Sequence, residues 1–165
     1  MLKRTIRLSM KLSCLLLFVF ILSCTSKKEK EKEHLVFKYN EHKNIGSLDP
    51  AFSKDLADIW ATNQLFNGLV QMDDQLNVKP AIAKSWTITD SATLYTFTLR
   101  KNVLFHNHNL FGKNTTRAVK ASDFEYSFNR LKDKSVASPG SWVLNKVKSF
   151  SAVNDSTFQI QLKQP

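Results

Sequence analysis

Two distant stretches of strict period-two alternation constrain the fold of this chain more than any other feature. In the first, Tyr95, Phe97 and Leu99 alternate with Thr96, Thr98 and Arg100; in the second, Phe158, Ile160 and Leu162 alternate with Gln159, Gln161 and Lys163. Successive side chains of a strand point to opposite faces, so each stretch has one apolar face that has to be buried. Each follows a turn-forming run, Asp90-Ser91-Ala92-Thr93 or Asn154-Asp155-Ser156-Thr157, and before that apolar residues, Trp86 with Ile88 or Phe150 with Val153. The pattern predicts two hairpins of one sheet, with the aromatic and aliphatic face inward. Between them Ser122 and Glu125 have the spacing of a capping box, and Phe124, Phe128 and Leu131 give the helix behind it an apolar stripe.

The preceding segments are shorter. Leu35-Val36-Phe37-Lys38-Tyr39 reads as a strand rich in branched and aromatic residues, broken later by Asp49-Pro50 because proline removes a donor and holds its predecessor extended. From Asp55 onward Leu56, Ile59, Trp60, Asn63 and Phe66 recur at helical spacing, and Gly68 suits a left-handed cap. Leu69 to Met72 is expected to be a strand turning at Asp73-Asp74, and Ala81 to Lys84 offers no more than one helical turn. A hydrophobic content of 42% supports a core, and only four glycines and four prolines argue against an internal linker. The body is expected to be one compact, β-rich α/β unit.

The N-terminus reads as an export signal. Lys3, Arg4, Arg7 and Lys11 precede an apolar run from Leu12 to Leu22 that only Ser13 interrupts. A bilayer span needs about 20 apolar residues, so this run suits a signal-peptide core instead. It ends in Ile21-Leu22-Ser23-Cys24, the spacing of a lipobox, which makes residues 1–23 a leader and Cys24 the acylated first residue of the mature chain. The alternative is an ordinary secretory leader with Cys24 near the cut by chance. With Cys14 in the leader and Cys24 lipidated, no thiol is left for a disulfide or a thiolate metal site. Residues 24–34 form a charged tether in which Lys27, Lys28, Lys30 and Lys32 interleave with Glu29, Glu31 and Glu33. Mixed charge without apolar residues stays solvated. The formal net charge of +10 falls to +6 without the leader's basic residues, and the tether nearly neutralises itself, which disfavours nucleic-acid binding.

Catalytic signatures are absent: no Gly-x-Ser-x-Gly elbow, Gly-rich phosphate loop or His-Glu-x-x-His occurs. Asp73-Asp74 reads as turn chemistry rather than a catalytic pair. In a strand, His106 and His108 would share a face and could approach one metal ion, but no neighbouring carboxylate or thiol completes a ligand set. Trp60, Trp86 and Trp142 are candidate stacking platforms, of which Trp86, at a strand start, fits core packing.

Taken in order, Ser47-Leu48-Asp49-Pro50, Leu65-Phe66-Asn67-Gly68-Leu69-Val70, Pro80-Ala81-Ile82-Ala83-Lys84-Ser85-Trp86, Tyr95 to Arg100, Val103-Leu104-Phe105-His106 and Ala121 to Phe128 resemble the family 5 extracellular solute-binding proteins. These are the peptide- and nickel-capturing receptors of bacterial ABC importers. The resemblance begins near Leu35 and implies an α/β chain forming the β-rich N-terminal portion of a two-lobed periplasmic-binding-protein (type II) fold. Residues 35–165 would be a truncated family domain, with the second lobe missing from them. By themselves they are expected to capture solute poorly, because closure between lobes supplies most of the desolvated contact area. It also implies solute capture rather than catalysis, no cofactor, and an extracytoplasmic, lipid-anchored location. The implied partners are a peptide or similar small solute, the ABC permease and ATPase subunits, and the membrane through the lipid anchor. In oligopeptide-binding members the loop after the Leu-Asp-Pro step lines the ligand cleft, so Ser53, Lys54, Asp55 and Leu56 are the ligand-facing candidates. Such a loop can offer strand-like hydrogen bonds to an extended peptide; Asp55 fits equally well as the cap of the following helix. The sequence departs from the family where His108 replaces a turn glycine and where Trp142 stands in a Ser-Pro-Tyr-like segment. A stand-alone structural or interaction lipoprotein is the competing reading.

Overall fold

A computed structural model describes residues 38–165. The leader, Cys24, the tether and residues 35–37 of the first expected strand lie outside the described residues; Lys38 and Tyr39 are described and are not strand. In chain order, a 3-10 turn at Pro50–Phe52 precedes helix α1 (Leu56–Leu65). Strands β1 (Val70–Met72), β2 (Val78–Pro80), β3 (Ala83–Thr89) and β4 (Leu94–Leu99) follow, then helix α2 (Ala121–Lys132), β5 (Val147–Asn154) and β6 (Thr157–Leu162).

The two expected hairpins form, and they join. β3–β4 and β5–β6 are antiparallel hairpins fused through a β4–β6 pairing into one four-stranded sheet of order β3-β4-β6-β5. The register sets Phe97 opposite Phe158 and Tyr95 opposite Ile160, which brings the apolar residues of both alternating runs onto one face. Helix α2 covers that face. Phe124 lies 6.0 Å and Phe128 5.5 Å from the Phe158 ring, and Phe128 lies 5.2 Å from Phe150. Phe158 is fully buried and Leu99 nearly so, and together with Phe97, Leu69, Ile82, Ala83 and Ala121 they form the core. Trp86 packs against this cluster, its ring 6.4 Å from Phe97, as its place at a strand start suggests.

Four local expectations are revised. The helix carrying the aromatic stripe starts at Ala121, and its first turn is closed by Asp123 accepting the Lys120 backbone N–H at 2.8 Å, not by Ser122. Glu125 is then free to accept the Ala152 N–H at 3.0 Å, which ties α2 to β5. Residues 83 and 84 belong to β3 rather than to a helical turn, because Ala83 pairs with Leu99. Gly68 is not left-handed; an added Cβ would lie 3.1 Å from the Val70 carbonyl oxygen, so close backbone approach is what selects glycine there. Finally, α1 buries the face opposite the large apolar residues. Ala57, Asp58 and Thr62 point inward while Leu56, Ile59, Trp60 and Leu65 are exposed, because the inward polar groups have hydrogen-bond partners in the preceding loop.

The β3–β4 turn holds Asp90, Ser91 and Ala92 at φ of 53°, 51° and 66°. Left-handed backbone costs a residue with a Cβ about 1–2 kcal/mol, and glycine escapes that at a smaller entropic cost. Ala92→Gly is therefore expected to stabilise the domain by about 0.5–1 kcal/mol. Chemical denaturation checks this, and an unchanged or lowered midpoint contradicts it.

Candidate functional site

The segment between the Leu48-Asp49-Pro50 step and α1 is short, yet side chains from far along the chain hold it. Asp49 caps the 3-10 turn by accepting the Ala51 N–H on Oδ1 at 3.0 Å. The same carboxylate takes both terminal nitrogens of Arg130 in α2, Nη1 to Oδ1 at 3.0 Å and Nη2 to Oδ2 at 2.8 Å. Paired parallel bonds of this kind fix direction as well as distance. The Arg130 guanidinium, helped by the Ala51 N–H, holds the Asp49 carboxyl below its ordinary pKa although partial burial opposes this. Ser138, itself buried, donates its hydroxyl to the Ala51 carbonyl at 2.6 Å and accepts the Gly140 N–H at 3.2 Å. On the other side of the turn, buried Asp58 of α1 accepts the Gly46 N–H at 2.7 Å and the Ser47 N–H at 3.4 Å.

The four sequence-derived candidates divide within this frame. Ser53 is half-buried, with its hydroxyl 3.4 Å from the Thr62 hydroxyl, so it faces the helix. Asp55 is the N-cap of α1 and accepts the Asp58 N–H at 3.2 Å. Its carboxylate also pairs with the Lys43 ammonium; that contact, then the Asp58 amide, lowers its pKa. Lys54 and Leu56 are exposed, and among the described residues Lys54 makes no ion pair. Lys54, Asp55 and Leu56 line one open groove of about 390 Å³ together with His42, Lys43 and Ile59. Ser53 does not line it.

A second groove of about 460 Å³ lies across the turn, walled by Asp49, Ala51, Phe66, Phe105, Tyr126 and Arg130. Over its floor Arg117 sits 4.5 Å above the Phe105 ring and pairs with Asp123 through two bonds of 2.9 and 2.6 Å. His106 lines a neighbouring apolar cleft with Ile82, Val103 and Phe124. His108 instead caps the 3-10 segment Asn109–Asn114, its Nδ1 accepting the Leu110 N–H at 3.2 Å. Among the described residues no three His, Cys, Asp or Glu side chains come close enough to hold a metal ion. Trp142 is exposed at 69% of its surface. Arg130, Ser138 and Asp58, which hold the candidate loop, escaped the sequence reading. Asp58 lies inside the helix expected behind Asp55, where nothing local marks it, and a lone Arg or Ser carries no periodic signal.

Residues 77–165, more than half of the chain, match the family described as bacterial extracellular solute-binding proteins, family 5 Middle. The chain belongs to that family. The match covers β2 to β6, including α2, which carries Arg130, and the segment after it, which carries Ser138. The periplasmic murein peptide-binding protein MppA of Escherichia coli is 30% identical over 152 residues, covering 82% of this chain and 26% of MppA. Among solved structures, the periplasmic binding protein DppA of Helicobacter pylori in complex with the peptide STSA superposes with a TM-score of 0.61 at 32% identity, over 72% of this chain and 25% of DppA. NikZ of Campylobacter jejuni in complex with Ni(L-His) gives a TM-score of 0.61 at 29% identity, over 74% of this chain and 23% of NikZ. The chain therefore spans about a quarter of the length of these relatives and forms part of a type II periplasmic-binding-protein fold. Its family is one of extracellular solute-binding proteins.

Proposed function

We propose that this family 5 chain is the N-terminal portion of the extracytoplasmic, lipid-anchored solute-binding component of an ABC importer, capturing a peptide or a related small solute without breaking bonds. The single observation behind the reading is the family match joined to relatives with bound or named peptides, MppA and DppA. Permease and ATPase subunits are the implied partners, and Cys24 is the implied lipid anchor.

The ligand-facing segment is Ser53 to Leu56. Ser53 and Asp55 serve it indirectly, since their side chains are already occupied at the start of α1. Lys54 and Leu56 offer a cation and an apolar side chain to a solute lying along the groove, with backbone groups beside them for an extended chain. Calorimetric titration of the purified protein with tetraalanine tests this. The double variant Lys54→Ala, Leu56→Ala is expected to bind about tenfold more weakly, roughly 1.4 kcal/mol, with the same melting temperature. Undiminished affinity in the double variant eliminates the site. Labelling cells with a radioactive fatty acid tests the anchor: label on the wild type and none on Cys24→Ser is the expected pair.

A further inference from the structure

Arg130 stands 81 residues beyond Asp49 and takes both oxygens of its carboxylate, although neither group is deeply buried. An exposed ion pair contributes little to global stability, with a median near 0–1 kcal/mol. The value of this one lies in what Asp49 also holds. Its Oδ1 accepts the Ala51 N–H, so the guanidinium, the carboxylate and the 3-10 turn form one bonded chain. Ser138 grips the same residue from its carbonyl side. Ala51 is thus bonded at both backbone groups to side chains that α2 and the segment after it position, while Asp58 fixes the two residues before Leu48.

We propose that Arg130 is a positioning residue for solute capture: through Asp49 it holds the turn Pro50–Phe52 in one conformation, so that Lys54 and Leu56 project into their groove already arranged. The inference rests on the capture function proposed above. The physical gain is preorganisation, because a loop that must order when the solute arrives loses part of its binding free energy to that ordering. Arg130 touches no solute in this scheme. Lysine cannot replace it, since a single ammonium does not reproduce two parallel bonds.

The experiment compares the full chain with its Arg130→Met and Arg130→Lys variants by amide hydrogen exchange and by tetraalanine titration. Local opening reports on individual segments independently of global unfolding. In Arg130→Met the Ser53 amide, which donates to the Pro50 carbonyl, is expected to exchange at least about tenfold faster, while amides of β4 and β6 keep their protection. Arg130→Lys is expected to restore little of it, and tetraalanine is expected to bind both variants more weakly than wild type at an unchanged melting temperature. Unaltered exchange at residues 51–53, or acceleration spread evenly over the sheet, overturns the proposal. If wild type itself fails to bind tetraalanine, capture by these residues alone fails, and the exchange comparison alone decides whether Arg130 holds the turn.

Discussion

Replacing Phe158 with alanine is expected to lower the unfolding free energy by about 3–5 kcal/mol, the range for removing a fully buried aromatic. The ring has no exposed surface, sits opposite Phe97 across β4–β6 and Ala152 across β5–β6, and meets Phe124, Phe128 and Phe150 within 6.5 Å. Its loss empties the point where the two hairpins and α2 converge, and the surrounding strands cannot collapse into the gap without giving up ladder hydrogen bonds. Small domains have only about 5–15 kcal/mol in total, so the variant is expected to be largely unfolded at physiological temperature. Far-ultraviolet circular dichroism with urea titration measures the change. A loss under about 1 kcal/mol would mean that the hairpins are held together elsewhere. Phe158→Leu, which keeps most of the apolar volume, is expected to recover most of the stability.

Asp58→Ala is expected to cost about 1–3 kcal/mol by a different mechanism. The residue is 3% exposed, and its carboxylate is the acceptor for the Gly46 and Ser47 amides. Alanine leaves both donors without that partner beside α1. Asp58→Asn keeps one carbonyl oxygen in place and should cost less. The same double comparison by denaturation tests the assignment: equal stability of wild type and Asp58→Ala would show that solvent satisfies those amides. The loop before Asp49 should loosen with Asp58→Ala, because Asp58 is the acceptor that joins residues 46 and 47 to α1.

The two predictions differ in how visible their basis was beforehand. Phe158 announced itself, because alternation with Gln159 and Gln161 admits one buried face, and the Asn154-Asp155 run marked the turn ahead of it. Phe124 and Phe128 were legible in the same way at helical spacing. The face of α1 was not. Its large residues repeat at three and four positions, yet the helix turns Ala57, Asp58 and Thr62 inward, since side-chain hydrogen bonds to a loop leave no periodic mark. The capping residues of α2 fell two positions from where the Ser-x-x-Glu spacing placed them, because Glu125 had a competing partner in β5.

Period and turn chemistry by themselves determined the two hairpins and the aromatic stripe of the helix, since these are properties of neighbouring residues, and the ordered blocks carried the resemblance to family 5. Only the tertiary structure decided that Asp49 meets Arg130, that Ser138 grips Ala51, and that Ser53 turns to α1 and Asp55 caps it while Lys54, Asp55 and Leu56 line the groove. Those contacts join residues up to 87 positions apart. A polar pair at such separation has no local signature, because its geometry exists only once the sheet and α2 have brought both partners to the same place.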